Sequence, residues 1–256
     1  MRGLRIAAAA LAFFASAASA QEVVFKDPTG DDKGPGNYVY PTDGVYKPGS
    51  FDLTQLRVKK AGAKVDFEVS VNAGLEDPWR MGGGFSTQMV FVFVKTGEGG
   101  HTQGLPGLNV TFAEDSAWNK VVIISPQPPG RVKAEVGQKA QAVAADVLIP
   151  SRTRGSGRTL TATVDAAQLG GGDPLAWGYQ VVMQSNEGFP AGMDLLTRKV
   201  NEYEGQHRFG GGTDTDCDPH VMDLLGGPAE QKEQLAYECN PDGSAKKQAT
   251  LKMVKK

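Results

Sequence analysis

Three aspartates fall within six residues in the segment Asp27-Pro28-Thr29-Gly30-Asp31-Asp32, which continues as Lys33-Gly34-Pro35-Gly36-Asn37-Tyr38-Val39-Tyr40-Pro41. A hard dication such as calcium takes about six to eight oxygens at short range, and a glycine-laden backbone lets carboxylates and carbonyls converge without steric cost. The spacing is not that of an EF-hand, and Asp, Gly and Pro are also ordinary turn formers. The segment therefore reads either as a metal loop or as a run of turns. A second acidic cluster, Asp214-Thr215-Asp216-Cys217-Asp218, alternates like the start of an EF-hand loop. It has Pro219 where glycine is required and Leu225 where glutamate should stand, so it reads as a solvated acidic loop.

Sugar recognition calls for an aromatic face beside a few placed polar groups, an extension of the general logic of ligand pockets. Tyr38, Tyr40, Tyr46 and Trp79 lie among loop residues and are the candidates for such a platform, whereas Trp118 and Trp177 stand beside strands and read as core. Catalytic patterns are absent from the sequence. Gly84-Phe85-Ser86-Thr87-Gln88 lacks the closing glycine of a nucleophile elbow and precedes a strand instead of a helix. His101, His207 and His220 have no zinc-type spacing and read as surface or loop histidines. No carboxylate pair is singled out as an acid and its base.

The elements that hold these residues are mostly strands. Val65 to Val71 alternates apolar with polar side chains, the mark of a half-exposed antiparallel strand, and Ala61-Gly62 is a hairpin turn to the strand formers of Phe51 to Lys59. Met89 to Val94 has no polar face, which predicts a central strand covered on both sides. Further strands are expected at Val121 to Ser125, Arg131 to Val136, Ala145 to Ile149, Thr159 to Val164 and Tyr179 to Gln184. Short helices are expected at Asp165 to Leu169 and Pro228 to Tyr237, and an edge strand at Gln248 to Val254.

With 33 glycines and 15 prolines among 256 residues, composition agrees with an all-β antiparallel sandwich of many short strands. Arg2 and Arg5, the apolar run Ile6 to Phe14 and Ala18-Ser19-Ala20 have the layout of a secretory signal over residues 1–20, leaving a single domain over 21–256. No later stretch is long enough to span a membrane. The formal charge of −2 becomes more negative when Arg2 and Arg5 leave, which argues against nucleic acid as a partner. Cys217 and Cys239 are the only cysteines, and in an exported chain they are expected to pair.

Asp27 to Pro41 followed by Pro48-Gly49-Ser50-Phe51-Asp52-Leu53 resembles the opening of the glucodextranase-type C-terminal domain, a DOMON-like sandwich attached to bacterial amylopullulanases and glucodextranases. More of the pattern follows in order: Asp77-Pro78-Trp79, Gly84 to Gln88, Leu105-Pro106-Gly107-Leu108-Asn109, Ala117-Trp118, Phe209-Gly210-Gly211-Gly212, and Pro219 to Leu225. The resemblance implies an accessory module, not an enzyme, that holds carbohydrate or a cell-envelope component and lies in the periplasm, outside the cell or on its surface. It also implies a structural calcium with Asp27, Asp31, Asp32 and Asp52 as ligands and Asp223 as a fifth. The DOMON group includes haem binders, but neither Met89 nor His101 has the context of an axial ligand. A glycoside-active sandwich and a purely structural envelope protein are the alternatives.

Overall fold

The structure, a computed structural model, describes residues 21–187 and 196–256. The leader expected over residues 1–20 lies outside the described residues. In chain order the first elements are β1 (Gln21–Lys26), β2 (Leu53–Ala61), β3 (Lys64–Val71), β4 (Gln88–Lys95), β5 (Val110–Phe112) and β6 (Lys120–Ile124). Next come α1 (Pro129–Lys139), β7 (Val147–Leu148), β8 (Thr153–Ser156), β9 (Thr159–Asp165) and β10 (Gly178–Ser185). The chain ends with β11 (Asp223–Leu224), α2 (Pro228–Gln234), β12 (Glu238–Cys239), β13 (Ala245–Lys247) and β14 (Ala249–Leu251).

Two five-stranded sheets carry the all-β fold. The first has the order β1-β2-β3-β9-β8 and is antiparallel throughout; the second has the order β11-β10-β4-β6-β7 and is antiparallel except at its β6–β7 edge. The alternation read in β3 has its expected result: Val65, Phe67, Val69 and Val71 are buried, with Asp66, Glu68 and Ser70 on the other face. Gly62 makes the β2–β3 turn at φ 61°, a conformation that costs a side chain with a Cβ but not glycine.

Inner faces of both sheets meet in one apolar cluster. Phe25, Leu56, Phe67 and Leu160 from the first sheet pack with Val90, Val92, Val122 and Val181 from the second. The second sheet is also covered behind, where Met89, Phe91, Phe93 and Ile123 pack against Trp118, Val132, Val136 and Leu235. Strand β4 thus sends alternate side chains into two cores, which is why its sequence has no polar face. A third cluster gathers Tyr38, Tyr46, Phe51, Val200, Phe209 and Met222 at the end of the sandwich that carries the site.

One expectation is corrected. Arg131 to Val136, read as a strand, lies inside helix α1, whose first residue is Pro129. Proline suits the first helical position because that N–H has no intrahelical partner, and Val132 and Val136, four apart, fall on one helix face. The tail supplies the edge strand expected within Gln248 to Val254: β14 pairs in parallel with β5 in a two-stranded sheet, with Ala249 and Leu251 fully buried and Thr250 exposed. Cys217 and Cys239 are joined, tying the loop before β11 to β12 across a sequence separation of 22. Closing a loop of that size contributes about 3 kcal/mol by constraining the unfolded chain.

Candidate metal centre

The ends of both sheets converge on a group of carboxylates. Asp27 directly follows β1, Asp52 directly precedes β2, and Asp223 opens β11 at the edge of the other sheet. Between Asp27 and Asp52 the chain makes a long loop whose folding brings Asp31 over the same point. Carboxylate oxygens of Asp27, Asp31 and Asp223 lie within 4.8 Å of one another.

Backbone contacts explain why the loop closes there. Gly30 N donates to both oxygens of Asp52 at 3.0 Å, and Asn72 Nδ2 donates to Oδ2 at 3.0 Å. Gly34 N donates to Met222 O at 2.7 Å, beside Asp223. A Cβ on Gly34 would lie 2.3 Å from the Tyr38 ring and 2.7 Å from Val221 O, so only glycine permits this approach. From α2, Gln231 Nε2 donates to Asp31 O and to Gly34 O, while its Oε1 accepts from Leu224 N at 3.0 Å. One side chain therefore clamps the loop to β11.

The carboxylates divide by what they already hold. Asp223 accepts from Leu53 N at 2.6 Å and Leu224 N at 2.8 Å, and Asp27 Oδ1 accepts from Gly226 N at 2.7 Å. Asp27 Oδ2 and both oxygens of Asp31 are buried without a hydrogen-bond partner. Among the described residues none of the three has an ion-pair partner. Asp32 and Asp52 stand outside the convergent group, Asp32 accepting from the Tyr40 hydroxyl and Asp52 from Gly30 and Asn72. The geometry thus brings together three of the five aspartates expected as ligands, and the other two brace the loop.

Burial pushes the Asp27 carboxyl up to about 8 and that of Asp31 to about 6, and it holds Asp223 well above the ordinary carboxylate range. Neighbouring carboxylates add to each rise, because like charges this close resist joint ionisation. Without a cation, the folded protein holds protons that the unfolded chain releases. Stability of the metal-free protein is then fully present below a pH of about 4 and falls as pH rises toward about 8. Melting temperatures in chelator should accordingly drop between about pH 5.5 and pH 8, and the gap between samples with and without calcium should widen over that interval. A gap independent of pH would contradict this linkage.

An all-oxygen donor set of buried carboxylates with orphaned lone pairs suits a hard cation such as calcium; thiolate or imidazole donors, which softer metals favour, are missing from the group. Beside it opens a cleft of about 480 Å³ lined by Gly30, Asp31, Lys33, Asn37, Gln231 and Lys232.

The aromatic residues expected as a sugar platform are placed differently. Tyr38 and Tyr46 are 2% and 4% exposed, with hydroxyls donating to Pro219 O and to Asn186 O respectively. Neither ring can lie against a ligand, because the front loop folds back and packs both around Phe51 and Phe209. Tyr40 and Trp79 are half-buried, Tyr40 against Phe51 and Phe209, Trp79 edge-on to Tyr46 and His207.

The second acidic cluster is also corrected. Asp218 is fully buried and accepts from Thr213 Oγ1 at 2.7 Å and from Tyr38 Oη at 3.1 Å, while Asp214 is exposed. His220, read as a surface or loop histidine, is fully buried. Its Nδ1 accepts from Val200 N at 3.1 Å, which places the ring proton on Nε2 facing Asp216 Oδ1 at 2.7 Å. Gln231 escaped the sequence reading because nothing in a glutamine on a short helix marks it as a clamp.

The family model described as the C-terminal binding module, SLH-like, of glucodextranase matches residues 23–254, a span that contains all five aspartates and both sheets. No curated protein matches the chain. The matched family is a binding module and not a catalytic domain.

Proposed function

The chain belongs to the family of the SLH-like C-terminal binding module of glucodextranase, and from that premise we propose an exported, calcium-stabilised module that binds carbohydrate outside the cytoplasm. The observation that carries the calcium reading is the convergence of Asp27, Asp31 and Asp223 with three buried oxygens that no protein donor satisfies. Buried acceptors without partners cost about 1 to 3 kcal/mol each, more when charged, and a dication coordinated by all three removes that cost. Asp27, Asp31 and Asp223 are the proposed direct ligands, with Asp32 and Asp52 fixing the loop that presents Asp31.

Such an ion bridges strands β1 and β11, which belong to different sheets, so its role is to fasten the sandwich at the end where the loops gather. Export is supported by the layout of residues 1–20. Among the described residues no helix is long and apolar enough to cross a membrane.

Carbohydrate as the ligand rests on the family and on half-exposed ring surface at the same end of the sandwich. The test is isothermal titration of the full chain with dextran, malto-oligosaccharides and soluble cell-wall glycan, in calcium and in chelator. Saturable binding to at least one glycan is expected, weakened in chelator. Absence of heat with every glycan, in protein shown by metal analysis to hold its calcium, removes the carbohydrate reading and leaves the metal reading standing.

A further inference from the structure

Two large hydrophobic side chains are exposed among the described residues, Val39 at 47% and Tyr203 at 74%. Tyr203 sits on one leg of a loop whose two legs are paired and whose turn lies at Gly205 to Arg208. Asn201 N donates to Phe209 O at 2.8 Å, Gly211 N to Glu202 O at 2.9 Å, Gly212 N to Asn201 O at 2.8 Å and Gly205 N to Arg208 O at 2.9 Å. That leg is pressed onto Gly210 of the other: a Cβ there would lie 2.2 Å from Glu204 N and 2.6 Å from Tyr203 C. This backbone is held on both sides, yet the ring it carries faces water.

Tyr203 lines an open cleft of about 350 Å³. Lys199, Val200, Asn201, Glu202, Thr213, Asp214 and Asp216 complete its lining. Lys199 is paired with Asp216, so the cleft offers no free cation from that residue to hold an anion. The side chains of Asn201 and Asp214 are exposed and, among the described residues, make no hydrogen bond. An amide that both donates and accepts, a carboxylate that accepts and one flat apolar face together match the vicinal hydroxyls and the C–H face of a pyranose. The held backbone matters because a segment ordered in advance loses less entropy on binding.

We propose that this cleft is the glycan-binding site of the module, Tyr203 stacking on a pyranose ring while Asn201 and Asp214 bond its hydroxyls. The proposal rests on the carbohydrate reading above and deepens it by placing the ligand. It also moves the ligand away from Tyr38 and Tyr46, whose rings are buried.

The experiment repeats the titrations with dextran, malto-oligosaccharides and soluble cell-wall glycan on the full chain and on Tyr203→Ala, Tyr203→Phe and Trp79→Ala. Tyr203 is exposed, so its replacements should melt with the wild type. Tyr203→Ala is expected to bind the recognised glycan about tenfold more weakly or worse, as for a truncated aromatic anchor. Tyr203→Phe should stay within about twofold, since the face of the ring and not its hydroxyl makes the stack. If Tyr203→Ala binds like the wild type while Trp79→Ala loses binding, the site is overturned and the carbohydrate reading survives. If the wild type binds none of the glycans, both fall together.

Discussion

Removing calcium with a chelator near neutral pH is expected to lower the melting temperature of the wild-type protein by roughly 10 °C, and that of Asp31→Ala by no more than about 1 °C. A ligand present at about a thousandfold above its Kd adds about 4 kcal/mol to folding. For a chain of this size each kcal/mol is worth about 2 to 4 °C. Asp31 is the right residue to change because its carboxylate takes no hydrogen bond from another residue, whereas Asp223 holds two backbone N–H groups and Asp27 holds one. Replacing Asp223 would damage the strand ends whether or not a metal binds there. Replacing Asp31 removes a proposed ligand and little else. In chelator, Asp31→Ala should be at least as stable as the wild type, since it relieves one of three converging like charges. Thermal denaturation of both proteins in calcium and in chelator provides the check. Equal drops in the two proteins would remove Asp31 from the ligand set, and no drop in the wild type would remove the metal.

Gly211→Ala is expected to cost about 3 kcal/mol or more, well above the effect of an ordinary surface substitution. Gly211 has φ 91°, and a Cβ would lie 2.4 Å from Asn37 O and 3.1 Å from Tyr38 Cα, all backbone that cannot swing aside. The neighbouring Gly210 exchanges both hydrogen bonds with Val39, so the clash falls on the seam that ties the front loop to the Phe209–Gly212 segment. Gly36→Ala is the internal control. Gly36 also has positive φ, at 121°, but nothing lies within 4 Å of its Cβ position, so its replacement carries the conformational cost alone. Limited proteolysis of Gly211→Ala should open the chain between Asp27 and Pro48 before the sheets are cut. Equal melting temperatures for the two variants would refute the close approach as the reason for glycine at 211.

The strands that could be read from the sequence were those whose signal is local. The alternation in Val65 to Val71 and the unbroken apolar run of Met89 to Val94 each report their surroundings within a few residues, and both became strands with the burial they implied. Helix α1 was misread because Val132 and Val136 are strand formers by type, and the helical spacing between them and Pro129 is the weaker signal. Strand β1 was overlooked since its three apolar residues, Val23 to Phe25, stand just behind the stretch read as a leader. At the site, Asp27 and Asp31 were visible as a dense acidic loop and Asp223 was named only through the family resemblance, while Gln231 enters from about two hundred positions away and only through the topology. Burial of Tyr38 and Tyr46 was equally invisible, because a tyrosine in a glycine-rich loop faces water or core according to where the loop closes. Tyr203 went unread for the same reason in reverse.

A ribbon of six residues sits between the two main apolar clusters, its even-numbered side chains in one and its odd-numbered side chains in the other. Each position in Met89 to Val94 is hemmed in on its own flank, so drift at any of them opens a void or forces an overlap, with no lenient side to absorb the change. Exposed loop positions at the rim that make no such close approach can change without disturbing this spine.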